Sequence, residues 1–84
     1  MSAPQQPWTV YMLRCADDTI YTGIARDAAK RLAAHNSGKG AKYTRARRPV
    51  AMIYSEAAPD RSEASRREYA IKRMTRRAKL ALIG

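Results

Sequence analysis

Two runs rich in β-branched and aromatic residues stand close together near the start of the chain. They are Trp8 to Arg14 and Thr19 to Ile24, separated by the polar Ala16-Asp17-Asp18. Such runs around a short polar loop read as a β-hairpin. That hairpin constrains the rest of the fold, because 84 residues support one core and leave no room for a second. Asp27 then caps a helix running to about Asn36, with Gly38 past its end and Ala28, Ala29, Leu32 and Ala33 as packing surface. Residues 37–49 read as a loop that Pro49 ends, and Val50 to Ser55 as a third strand. Asp60 is the expected N-cap of a second helix reaching about Met74, with Glu63 completing a capping-box-like pattern. Thr75 caps a short last helix, Arg76 to Ile83. The expected fold class is α/β (α+β), with element order β-β-α-β-α-α. Residues 1–7 read as a flexible N-terminal arm and residues 8–84 as a single domain.

Charge narrows the function. Seventeen Lys and Arg against seven Asp and Glu give a formal net charge of +10. So much charge on so small a body repels itself and favours an anionic partner. Nucleic acid leads, since neutralising phosphates releases counterions; an anionic membrane surface or an acidic protein follows. The charge is uneven: eight basic residues lie between Arg26 and Arg48, eight between Arg61 and Lys79, and only Arg14 on the hairpin. No apolar run approaches the roughly 20 residues that span a bilayer, and the N-terminus has no secretory pattern. The lone Cys15 cannot form an internal disulfide, so a reducing cytoplasm is the expected setting, and an association with the nucleoid fits as well. One cysteine and one histidine cannot build a closed zinc site.

Three groups of residues are poorly explained by structure alone. Arg31 and His35, four apart, share one helical face at the edge of the core. Alone, such a pair is more often a solvated basic face; its functional reading is a phosphate clamp, with a fork of donors and a group that titrates near neutrality. Glu68 lies within the apolar stripe of Ala64, Ile71 and Met74. It reads equally as a salt bridge to Arg61, Arg66 or Lys72 and as a ligand for Mg²⁺. Tyr11 and Tyr21 stand on the two hairpin strands. A two-residue loop puts them on opposite faces. A three-residue loop, 16 to 18, pairs Tyr11 with Gly23, puts both phenols on one face and leaves open space at Gly23 for a ligand.

With Thr9-Val10-Tyr11 standing ten residues before Tyr21-Thr22-Gly23, the chain resembles the paired signature of the GIY-YIG nuclease superfamily. Arg31, His35 and Glu68 come after it in order, within Arg31-Leu32-Ala33-Ala34-His35-Asn36, Gly38-Lys39-Gly40-Ala41-Lys42-Tyr43-Thr44 and Glu68-Tyr69-Ala70-Ile71-Lys72-Arg73. The resemblance covers about residues 8–83 and is to the small, stand-alone bacterial members. The departures are Thr9, Val10 and Thr22 at positions that carry glycine or isoleucine in the signature; they keep β-propensity, and both tyrosines survive.

The resemblance implies a small three-stranded antiparallel sheet flanked by helices. It implies metal-dependent hydrolysis of DNA phosphodiester bonds with Mg²⁺ or Mn²⁺, and a family-level place in DNA repair or recombination. Tyr11 or Tyr21 positions or deprotonates the water, and either phenol needs a nearby cation to lower its pKa from about 10. Arg31 stabilises charge on the phosphate, His35 joins the nucleophile network or shuttles a proton, and Glu68 holds the metal. Lys39, Lys42, Tyr43, Arg45, Arg47, Arg48 and Lys72 are the expected nucleic-acid contacts. Phosphate contacts position a duplex without reading bases, so preference for DNA structure is expected over preference for sequence. A non-catalytic DNA- or RNA-binding module on the same surface is the rival reading, and a protein-interaction adaptor a third. Oligomeric state is not legible in the sequence.

Overall fold

A computed structural model describes residues 7–84. The arm read at residues 1–7 lies outside the described residues apart from Pro7. The hairpin strands are β1 (Trp8–Arg14) and β2 (Ile20–Ala25). They are antiparallel, with Tyr11 opposite Gly23 and Leu13 opposite Tyr21, so the longer-loop register holds and both phenols share a face. The turn explains why β2 starts one residue late. Asp17 Oδ1 accepts hydrogen bonds from Thr19 N (3.2 Å) and Thr19 Oγ1 (2.6 Å), which keeps Thr19 in the turn. Asp18 takes the positive φ of 67° that closes it, a conformation Asp tolerates better than most residues.

Helix α1 (Ala28–Asn36) begins where expected, with the Asp27 carboxylate accepting from Lys30 N at 3.0 Å. Gly38, at φ 84°, turns the chain out of it. The connection read as loop contains one turn of helix, α2 (Lys42–Arg45), too short for any periodicity to announce. The third strand, β3 (Ala51–Ala58), runs three residues past the expected Ser55, because pairing with β1 continues to Trp8 opposite Ala58. Helix α3 (Arg61–Lys72) is capped by Asp60, which accepts from Glu63 N at 2.8 Å. The Glu63 side chain faces Arg66 instead of returning the cap bond. Thr75 caps α4 (Arg76–Ala81) by accepting from Ala78 N. Both last helices end about two residues earlier than read.

The sheet order is β2-β1-β3, which places β1 at the centre and β2 at an edge. One face carries Val10 and Met12 and packs on Ala64 and Ile71 of α3. The other carries Tyr11, Leu13 and Cys15 and packs on Leu32 of α1 and Val50. Ala29 and Ala33, read as packing surface, are exposed. Asn36 ties the end of α1 to the start of β3: its Nδ2 donates to Val50 O (3.0 Å) and its Oδ1 accepts from Val50 N (2.7 Å). Among the described residues no helix is long and apolar enough to cross a membrane.

Candidate active site

The centre of the site is buried. Tyr11 on the central strand is 1% exposed, and His35 of α1 and Thr44 of α2 are both 0% exposed. His35 is therefore not at the edge of the core but wholly inside it. A buried imidazole needs partners for both nitrogens, and it has them: Nε2 lies 2.9 Å from Tyr11 Oη and Nδ1 lies 2.8 Å from Thr44 Oγ1. Their direction comes from Thr44. Its one hydroxyl proton goes to Ala41 O at 2.9 Å, so Thr44 Oγ1 accepts from His35 Nδ1–H. Nε2 is then the unprotonated nitrogen, and Tyr11 Oη donates to it. Gly40 closes the arrangement. A Cβ there would collide with His35 Nδ1 and lie 2.8 Å from its Cα, so the backbone passes too close for any side chain.

Burial keeps this chain neutral. Burial, with Arg31 nearby, pushes the His35 pKa below its ordinary 6.5. Burial also raises the Tyr11 phenol above its ordinary 10.0, with Tyr21 and Glu68 acting the same way; the Arg31 guanidinium beside it pulls back without winning. The nearby cation expected for a tyrosine is present as Arg31, but at Tyr11 desolvation outweighs it.

The depressed His35 pKa has a stability consequence. Below its unfolded pKa of about 6.5, the unfolded chain binds a proton that the folded chain refuses. Stability contributed by neutral His35 is therefore whole above that pH and falls as pH drops toward the folded pKa. We expect the melting temperature to decline as pH falls below about 6.5, before Asp17, its pKa lowered first by Thr19, loses its charge. An NMR titration in which the His35 ring protonates at or above pH 6.5 contradicts this.

Tyr21 meets Tyr11 over Gly23. A Cβ at Gly23 would lie 2.6 Å from Tyr11 Oη and 3.0 Å from Tyr21 Cε2. The space expected to be open for a ligand is thus filled by the two tyrosine rings. Tyr21 also packs edge-on against the His35 ring at 5.3 Å and near-parallel to Tyr43 at 5.9 Å. Unlike Tyr11 it is half-buried. It lines a recess of about 340 Å³ with Thr22, Tyr43, Lys72 and Lys79, at the exposed edge of β2. Lys72, from α3 on the opposite sheet face, reaches round that edge to 6.0 Å from the Tyr21 ring.

The catalytic-domain model of the GIY-YIG family matches residues 7–81. This chain belongs to that family. Membership puts it among the GIY-YIG nucleases, whose domain implies DNA as substrate. It is 54% identical over 77 residues to a UPF0213 protein of Desulfotalea psychrophila, covering 90% of this chain and 70% of that protein. With a UPF0213 protein of Staphylococcus haemolyticus it shares 50% identity over 74 residues, covering 88% and 90% of the two chains. The solution structure of a UPF0213 protein from Bacillus halodurans is similar at TM-score 0.58 and 44% identity, covering 92% of this chain and 82% of that one. A structure from E. faecalis matches at TM-score 0.61 and 38% identity, covering 96% and 88%.

Divalent metal is general in GIY-YIG nucleases, and the residues here bear on whether one fits. Among the described residues no cluster of three or more His, Cys, Asp or Glu side chains could enclose a metal. Glu68 is the carboxylate whose charge reaches the Tyr11 phenol. Its side chain is 24% exposed, and its contact is an ion pair at 3.5 Å with Lys72 of the next turn. Of the two readings of Glu68, the salt bridge to Lys72 is the one the geometry shows. One half-buried carboxylate suits Mg²⁺, which binds through one or two carboxylates and keeps its waters.

The basic residues separate into two kinds. Lys39, Lys42 and Arg45 are exposed on the α1–β3 connection of this GIY-YIG domain. Arg47 and Arg48 are instead bonded to the protein itself. Arg47 pairs with Asp17 at 3.0 Å and donates to Tyr43 O at 2.8 Å. Arg48 donates to Arg45 O at 2.9 Å and lies over Gly38. Thr44 and Gly40 were missed as site residues because neither type signals chemistry in a sequence. Their one clue was their positions, five and nine residues past a lone histidine.

Proposed function

We propose that residues 8–84 form a divalent-metal-dependent endonuclease domain that hydrolyses DNA phosphodiester bonds, selecting by DNA structure and not by sequence. The observation that carries this is the directed chain Tyr11–His35–Thr44, buried and neutral, with Arg31 and Glu68 close enough to act on the same phenol. Tyr11 commits its one proton to His35, so its oxygen meets Arg31 or a water only as an acceptor. His35 Nε2, unprotonated, holds the phenol by accepting that bond, and burial keeps the proton on Tyr11. Tyr21, the phenol that reaches the recess, meets the attacking water. Arg31 neutralises charge developing on the phosphate from a position Tyr11 helps to hold. Glu68 would hold the metal, which when bound polarises the phosphate and leaving oxygen. A cytoplasmic setting and a role in DNA repair fit this reading.

Exposed Lys39, Lys42 and Arg45, with Lys72 at the recess, supply phosphate contacts that carry no base readout. Replacing Lys42 or Arg45 by Ala is expected to lower the salt slope of DNA binding by about one each. Arg47→Ala should not behave so simply, because its guanidinium is already engaged by Asp17 and Tyr43. Cleavage assays on nicked, flapped, branched and linear DNA, with Mg²⁺ or Mn²⁺, test the proposal. Cutting concentrated at the discontinuities is expected; a sharp sequence-specific pattern on linear duplex contradicts the selectivity.

A further inference from the structure

Tyr43 looks at first like a platform for a base, because it is an exposed aromatic residue in a basic segment. The residue is 38% exposed, yet its ring is engaged by two neighbours. The Tyr21 ring lies at 5.9 Å, with 27° between the planes. The Arg47 guanidinium lies 3.9 Å from the ring centre. A base stacking on this ring would compete with these neighbours. Arg47 is fixed in turn from three directions: its Nε donates to Asp17 Oδ2 at 3.0 Å, its guanidinium to Tyr43 O at 2.8 Å, and its own carbonyl accepts from Ala16 N at 2.9 Å. Asp17 is held by Thr19, and the neighbouring Asp18 by Arg76 of α4 through its carbonyl (2.6 Å) and carboxylate (3.2 Å).

The contacts make one column, running from the hairpin turn through Arg47 and Tyr43 to Tyr21. It ends on the buried histidine, whose ring meets Tyr21 edge-on at 5.3 Å. Tyr21 sits on an edge strand, where no further strand restrains its ring. Charge, cation–π and aromatic stacking supply that restraint instead.

We infer that Asp17, Arg47 and Tyr43 are positioning residues that brace Tyr21 against His35. The inference rests on the nuclease reading for its kinetic consequence and on geometry alone for its structural one. Misplacing a reacting group by about 1 Å costs up to about 10²-fold in rate, so loss of the brace appears in kcat and not in DNA affinity.

The test compares Asp17→Ala, Tyr43→Leu and Tyr43→Phe with the full-length chain. Asp17→Ala and Tyr43→Leu should each lower kcat about tenfold with KM within about twofold. The double variant should be no worse than the poorer single one, because both act through one path. Tyr43→Phe keeps the ring, so the loss in Tyr43→Leu should exceed its loss by at least about fivefold. Independently of any cleavage, the NMR ring resonances of Tyr21 and His35 should shift in Asp17→Ala, although neither ring touches Asp17. Unmoved Tyr21 resonances overturn the brace. So does a loss in Tyr43→Leu confined to KM and the salt slope, which would make Tyr43 a DNA contact. If the wild-type chain cuts no DNA, the nuclease reading fails by itself, and the NMR comparison still decides the brace.

Discussion

Tyr21→Phe should lower kcat by about 10² to 10⁴ while leaving the melting temperature close to that of the wild type. Removing a positioned proton-transfer group costs about that much, and Tyr21 is the half-buried phenol on the wall of the recess. Its ring contacts with Tyr43 and His35 need no hydroxyl, so Phe keeps them. Tyr11→Phe should show the opposite balance. It leaves His35 Nε2, a wholly buried acceptor, without its 2.9 Å donor. Such an orphan costs about 1–3 kcal/mol, or roughly 4–8 °C of melting temperature per kcal/mol in a domain this small. Its kcat should fall less, about 10- to 100-fold, by disturbing Arg31 and the network without removing the group at the water. Wild-type cutting by Tyr21→Phe beside a dead but stable Tyr11→Phe would reverse the two roles.

Much of the scaffold was legible because its signals are local. Asp27, Asp60 and Thr75 each accept the backbone N–H three residues on, and a cap is visible in a few residues of sequence. The hairpin could be read as two alternatives, and residue pattern alone could not choose between them. Asp17's bonds to Thr19 and the positive φ of Asp18 select the longer loop, and with it the shared face of the two phenols. The overrun of β3 was not legible, because Ala57 and Ala58 have no strong strand preference and are held by pairing with β1. The turn at α2 was hidden for a similar reason: its four residues gain their place from Thr44 packing under His35.

The site was legible as a set of residue types and illegible as a set of environments. Arg31 and His35 share a helical face, as their spacing required, yet one is half-buried and the other fully enclosed. Burial of His35 depends on Gly40 and Thr44, which arrive from a segment that reads as surface loop. Gly23 misled in the same way. A missing side chain suggests room for a ligand, but here the neighbouring tyrosine rings take the room. Arg47 counted toward the basic loop by composition, whereas the fold commits it to Asp17 and Tyr43. Charge in a sequence says how much is available, and only packing says how much still faces a partner.

In the proposed function this GIY-YIG domain cuts DNA through a metal held at Glu68. Glu68 is a half-buried carboxylate whose charge is felt at the Tyr11 phenol, and its existing partner, Lys72, is exposed enough to yield it. Metal stabilisation of a phosphoryl transition state is worth several kcal/mol, which corresponds to about 10³-fold or more in rate. The most direct measurement is cleavage of nicked and branched DNA with Mg²⁺ by the wild type and by Glu68→Ala, beside DNA binding and the melting temperature of both. The account predicts Mg²⁺-dependent cutting by the wild type, at least about a 10³-fold loss in Glu68→Ala, and binding within a fewfold of wild type. Undiminished cutting by a folded Glu68→Ala, or cutting by the wild type that chelation of metal leaves intact, would contradict it.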